Sequence, residues 1–166
     1  MKAWHFTAAT LRDGTPIPPA GVTLVYSDPL VMCESGFHAS IDPFDALQYA
    51  PGDTLHLVEC GGDVIHASDK LVCSRRTIIA SMDAEPMLRY FARMQALAVT
   101  HLWRPPDVVL DYLMTGDETI RVAAWDAARA AAWDAAWDAA RAAARAAARD
   151  EFNALVRDAF ADWLTD

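Results

Sequence analysis

The sequence predicts an α+β fold: a small antiparallel β-rich N-terminal module packed with helices, followed by a long Ala/Trp/Arg-rich C-terminal helix. Three observations carry this reading. Residues 1–82 hold short apolar or alternating runs cut by Gly, Pro and Asp-Gly turn signals. Residues 83–116 switch to helical spacing. Residues 125–149 repeat one four-residue phrase, WDAA RAAA WDAA WDAA RAAA RAAA, closing on Arg149.

Taken in order, Lys2–Ala8 reads as a short strand and Asp13-Gly14 as a tight turn. Three prolines make 16–20 a loop. Val22–Tyr26 and Leu30–Cys33 read as strands joined by a Ser27-Asp28-Pro29 turn, and Gly36–Ser40 as extended chain. Asp42 is placed to cap a short helix with Pro43 at its first position, ending before Pro51-Gly52. Thr54–Cys60 alternates, with Leu55, Leu57 and Glu59 on one face and His56 and Val58 on the other. Gly61-Gly62 then reads as a hairpin turn into Val64–Ala67. Leu71–Ser81 is the last strand. It contains the only basic doublet, Arg75-Arg76, expected at a strand edge or in a loop.

Asp83 is expected to cap a helix over Ala84–Trp103, where Met87, Tyr90, Phe91, Met94, Leu97, Ala98 and His101 recur at i, i+3, i+4. Pro105-Pro106 breaks it. Asp107–Met114 forms a short helix that Gly116 ends. Beyond Gly116 there is no Gly or Pro, and seventeen of the twenty-eight residues from Val122 to Arg149 are alanine, the strongest helix former. The span from Asp117 to Trp163 therefore reads as one helix, roughly 70 Å long. The expected divisions are 1–82, 83–116 and 117–166, together one structural unit.

A four-residue step overshoots a helical turn by about 40°. Trp125, Arg129, Trp133, Trp137, Arg141, Arg145 and Arg149 therefore trace a slow spiral. No single straight partner helix covers all three tryptophans. Asp126 with Arg129 and Asp138 with Arg141 are i,i+3 ion pairs. The bland reading docks these tryptophans on the protein's own β module. The sharper one makes Trp125, Asp126, Arg129, Trp133, Asp134, Trp137 and Asp138 a partner-binding surface, since Trp and Arg are enriched at binding hot spots.

Composition excludes several classes. Net charge is −9, and both 1–116 and 117–166 are acidic, which disfavours phosphate-backbone binding to nucleic acid and suits a protein partner with a basic surface. Charges recur through the alanine tract too often for a bilayer span, and the N-terminus lacks the apolar run of a signal peptide. Cys33, Cys60 and Cys73 form no CxxC pair and read as reduced thiols, so the expected compartment is the cytoplasm, with no metal site. No phosphate loop occurs.

Residues 36–50, GFHASIDPFDALQYA, together with Val58-Glu59 and Asp69-Lys70-Leu71-Val72-Cys73, resemble a group of small phage-encoded proteins. Those proteins share a G-[FYW]-H…D-P-x-[DE]-A-L-x-Y phrase, and several carry tetrapeptide helices. The resemblance implies a phage or prophage setting, and with it inhibition of a host defence or regulatory protein, of which anti-CRISPR proteins are an example. A more distant resemblance links Trp4-His5-Phe6-Thr7 and Gly36-Phe37-His38-Ala39-Ser40 to ADP-ribosyltransferase folds. It implies NAD as ligand, His5 on the nicotinamide ribose, Phe37 or Tyr49 stacked on nicotinamide, and a catalytic glutamate, for which Glu59, Glu85 and Glu118 are the candidates.

The resulting expectation is an acidic interaction protein with no catalytic residue and no cofactor. The first alternative is a nucleotide-binding or NAD-dependent ADP-ribosyltransferase-like domain, with His5, Phe37, His38, Tyr49 and Glu59 lining a pocket. The second is a structural protein that dimerises through its C-terminal helix.

Overall fold

The computed structural model describes residues 1–131 and 138–164, with side-chain surroundings for 1–130 and 148–164. The fold is α+β: one five-stranded antiparallel sheet and, among the described residues, six α-helices. The chain divides into two compact units, one of residues 1–85 with 152–166 and one of residues 86–151.

The first unit is built on the sheet. Its strands are β1 (Lys2–Thr7), β2 (Thr23–Val25), β3 (Phe37–Ala39), β4 (Thr54–His66) and β5 (Leu71–Asp83). β4 and β5 form a long hairpin that turns at 67–70. β1 pairs with β4, while β2 and β3 pair with β5. Ser40, the residue after β3, then bridges Trp4 on β1 through two backbone bonds of 2.8 and 2.9 Å. The pairing circuit β1–β4–β5–β3–β1 is thereby closed, and the sheet curls into a small barrel.

The interior holds Ala3, Ala39, Val58, Cys60, Leu71, Cys73 and Ile78, joined by Phe37, Val64 and Ile17 from the proline-rich loop. The outer face carries Trp4, Phe6, Leu55 and Leu57, all buried. Two elements of the same unit supply their partners: α1 (Pro43–Leu47) and the chain's end, residues 152–159 of α5 (Asp138–Ala159) with α6 (Ala161–Leu164). Phe160 meets Trp4 edge-on at 5.1 Å and Phe152 meets Phe44 at 6.0 Å. Asn153 Oδ1 accepts the Phe44 N–H, and Arg157 pairs with Asp42 at 3.0 Å. Pro43 opens α1 as expected. Asp42 flanks it without a capping side-chain bond.

Three expectations are corrected. Gly61-Gly62 is not a hairpin turn. Five residues of β4 from Cys60 to Val64 face four of β5 from Cys73 to Arg76, so the pair is a bulge inside one continuous strand. Gly62 takes φ +72°, and Asp63 N–H bonds to Ser74 Oγ across the bulge. Leu30–Cys33 is not a strand: residues 32–35 turn, and the Val31 carbonyl accepts from the Glu34 and Ser35 N–H groups. Arg75-Arg76 lies within β5, with Arg75 exposed and Arg76 buried.

The second unit is helical. α2 (Glu85–Ala98) starts where Asp83 Oδ1 accepts the Glu85 N–H at 2.9 Å, as the sequence predicts. It ends at Ala98, short of the expected Trp103, and a 3-10 turn follows over Thr100–Leu102. α3 (Asp107–Thr115) closes on Gly116 in the left-handed region at φ +70°, whose N–H returns to the Tyr112 carbonyl at 2.8 Å. Residues 117–120 form a turn closed by Asp117, whose carboxylate accepts from the Thr119 N–H and hydroxyl. α4 (Arg121–Ala131) therefore starts four residues later than expected. Val109, Leu113 and Ala124 make a small core with Trp103, Tyr112, Ala127 and Ala128 around it. The expected continuity of the terminal helix through 132–137 lies outside the described residues. At its far end the helix breaks at Phe160 before α6.

Candidate functional site

The interior of the barrel carries an unusual polar load. In an antiparallel pair, directly opposed residues share a face. His5 opposes His56 and Thr7 opposes Thr54 on β1 and β4, while His56 opposes Ser81 and Cys60 opposes Arg76 on β4 and β5. One face of the sheet thus gathers His5, Thr7, His56, Ser81, Cys60 and Arg76.

His56 is 1% exposed. Thr7 Oγ1 lies 2.8 Å from its Nε2 and Ser81 Oγ 2.6 Å from its Nδ1, so both ring nitrogens are engaged. Burial, with the charge of Arg76, pushes its pKa down to about 4. His5 stacks on it with centroids 6.3 Å apart, and its ring makes no hydrogen bond among the described residues. Burial first, then the Arg76, His56 and His38 charges, hold its pKa well below the ordinary imidazole range.

Arg76 is 5% exposed. Its Nη1 donates to the His38 carbonyl at 2.8 Å, and its guanidinium lies over the Phe37 ring at 5.3 Å. Burial lowers its pKa, and the Cys60 and Cys73 sulfurs oppose that. The two thiols meet inside the barrel. The Cys60 thiol is held up by its bond to Cys73 and by burial; the Cys73 thiol is drawn down by the same bond.

The five pocket candidates separate. His5 lies on the interior face and Phe37 beside Arg76. His38 projects to the opposite side of β3 from Phe37, where its Nε2 accepts the Cys33 N–H. Tyr49 is half exposed and bonded to Asp69 and Lys70. Glu59 is exposed opposite Lys2. Sequence reasoning missed Arg76, His56 and Ser81. A groove of about 530 Å³ lies elsewhere in this unit, lined by Tyr26, Ser27, Asp28, Asp63 and Ser74, and its two carboxylates make it unsuited to anions. Among the described residues no cluster of His, Cys, Asp or Glu could hold a metal ion. No described helix is long and apolar enough to cross a membrane.

Of the partner-surface candidates, Trp125, Asp126 and Arg129 are described. Trp125 is 69% exposed and Val122, one turn before it, 67%. Both stand off the helix face that Ala124, Ala127 and Ala128 turn to α3. Asp126 and Arg129 are both exposed. Trp133, Asp134 and Trp137 lie outside the described residues. Asp138 opens α5, its side-chain surroundings likewise undescribed.

A family model described as a domain of unknown function, DUF7666, matches residues 1–90, a span that takes in the whole sheet. The chain belongs to this family. No curated protein and no solved structure matches it.

Proposed function

We propose that this DUF7666 protein is a non-enzymatic, acidic interaction protein that grips a partner with a basic surface through α4 and the repeat that follows. The exposure of Trp125 carries this reading. An indole is among the costliest side chains to leave in water, and Val122 beside it widens the patch. The helix packs through alanines, so the core of this unit needs neither residue. Trp and Arg anchors are the usual hot spots of protein interfaces. The phage resemblance supplies the partner class, a host defence or regulatory protein, and with it a cytoplasmic setting.

The test is photo-crosslinking of the full chain in cells, with a benzophenone side chain at position 125. The expected result is one defined heterologous adduct, lost when Val122→Asp is added. Position 25, where Val25 is 65% exposed in the sheet unit, serves as control. Equal adducts from both positions would overturn the proposal. A self-adduct would move it to the dimer reading.

A second reading, a nucleotide or NAD binder of ADP-ribosyltransferase type, draws support from the open ring of His5 on the barrel's polar face. A thermal-shift panel with NAD, nicotinamide and ADP-ribose tests it; no shift with any of them counts against it.

A further inference from the structure

Arg76 makes a demand that the described residues do not meet. Its guanidinium has five N–H donors, and the described residues supply one acceptor, the His38 carbonyl. None of the described ion pairs includes it. Yet among the described residues no fully enclosed side-chain nitrogen lacks a partner. The other guanidinium nitrogens must therefore reach accessible space from a side chain that is 5% exposed. The same reasoning applies to His5, whose ring nitrogens have no hydrogen bond among the described residues. A buried cation without a counter-charge is among the most expensive features a fold can carry.

We propose that Arg76 and His5 form a binding site for an oxyanion, the carboxylate or phosphate group of a small ligand that enters the polar end of the barrel. The guanidinium carbon lies 5.3 Å from the Phe37 ring centroid, Nη1 is taken by the His38 carbonyl, and the Nε–Nη2 edge has no acceptor among the described residues. That edge is a planar fork matched to two oxygens of one anion. His5 adds a donor from β1. Thr7 and Ser81 are spent on His56, which backs the His5 ring at 6.3 Å, so they position the site and do not contact the ligand. The acidic surface elsewhere does not contradict this, because Arg76 is 5% exposed and belongs to none of the described ion pairs.

One internal rival exists. A Cys73 thiolate, bonded by the Cys60 thiol, could neutralise Arg76 with no ligand at all. The test is an NMR titration of the full chain, following the Arg76 Nε and His5 ring signals at constant ionic strength. Inorganic phosphate is added in one series and acetate in another, with chloride as the blank. The expected result is a saturable shift of both signals with one of the two anions. Arg76→Lys should weaken binding at least tenfold and His5→Gln several-fold. A linear, non-saturating response, or equal affinity in His5→Gln and Arg76→Lys, would overturn the proposal. So would thiolate absorbance near 240 nm at neutral pH that Cys73→Ser abolishes, with an unresponsive Arg76 signal. The choice between phosphate and acetate assigns the oxyanion.

Discussion

His56 stands between two hydroxyls, one at each ring nitrogen, and the neutral ring satisfies both by donating to one and accepting from the other. Its pKa in the fold, about 4, lies below the ordinary value of 6.5. Between these values the unfolded chain binds the proton and the fold does not. The contribution to stability is therefore complete above pH 6.5 and is lost as pH falls toward 4. It amounts to about 3 kcal/mol, at 1.36 kcal/mol per unit. Urea denaturation across this window should show that decline, and His56→Gln should flatten it. His5 shifts the same way and steepens it. Gly62 is the second informative residue. Its φ of +72° disfavours any side chain, and a Cβ there would overlap Ser74 Oγ. Gly62→Ala should cost about 2 kcal/mol or more, from αL strain plus the displaced Ser74, read as a lowered denaturation midpoint.

At the scale of elements, much of the molecule is legible in the sequence because local chemistry and tertiary demand agree. The alternation of Leu55 and Leu57 with His56 and Val58, the Asp83 start of α2 and the Gly116 stop of α3 all appear where predicted. β5 shows why the polar site was not legible. Leu71 and Cys73 point inward, and strict alternation would turn Arg75 inward next. The bulge at Gly62 shifts the register, so Arg76 and Ile78 face inward instead. A second slip between Ile78 and Ala80 brings Ser81 under His56. Two glycines in a row signal a turn and a bulge equally well, and only the partner strand decides between them. Nor does local pattern reveal that the chain's end covers the sheet. Phe160, 1% exposed against Trp4, ties that end to β1. Phe160→Ala should cost about 3–5 kcal/mol in unfolding free energy. A loss under 1 kcal/mol would mean the terminal segment is dispensable to the sheet.

At the scale of the molecule, charge and apolar exposure are partitioned. The sheet unit holds six basic and fourteen acidic side chains, net −8, while the helical unit holds eight and nine, net −1. Under the proposed function, the acidic unit would steer a basic partner from a distance, and the nearly neutral one would offer the indole that holds it. Association should therefore slow with added salt, while dissociation should respond mainly to Trp125. The proposed role of α4 requires that indole to belong to the surface and not to the core. Urea denaturation of Trp125→Ala beside the wild-type chain decides it most directly. The expected unfolding free energies lie within about 0.5 kcal/mol of each other, as for other surface substitutions. A loss of about 2 kcal/mol or more would make Trp125 a core residue and contradict the assignment of α4 as a binding surface.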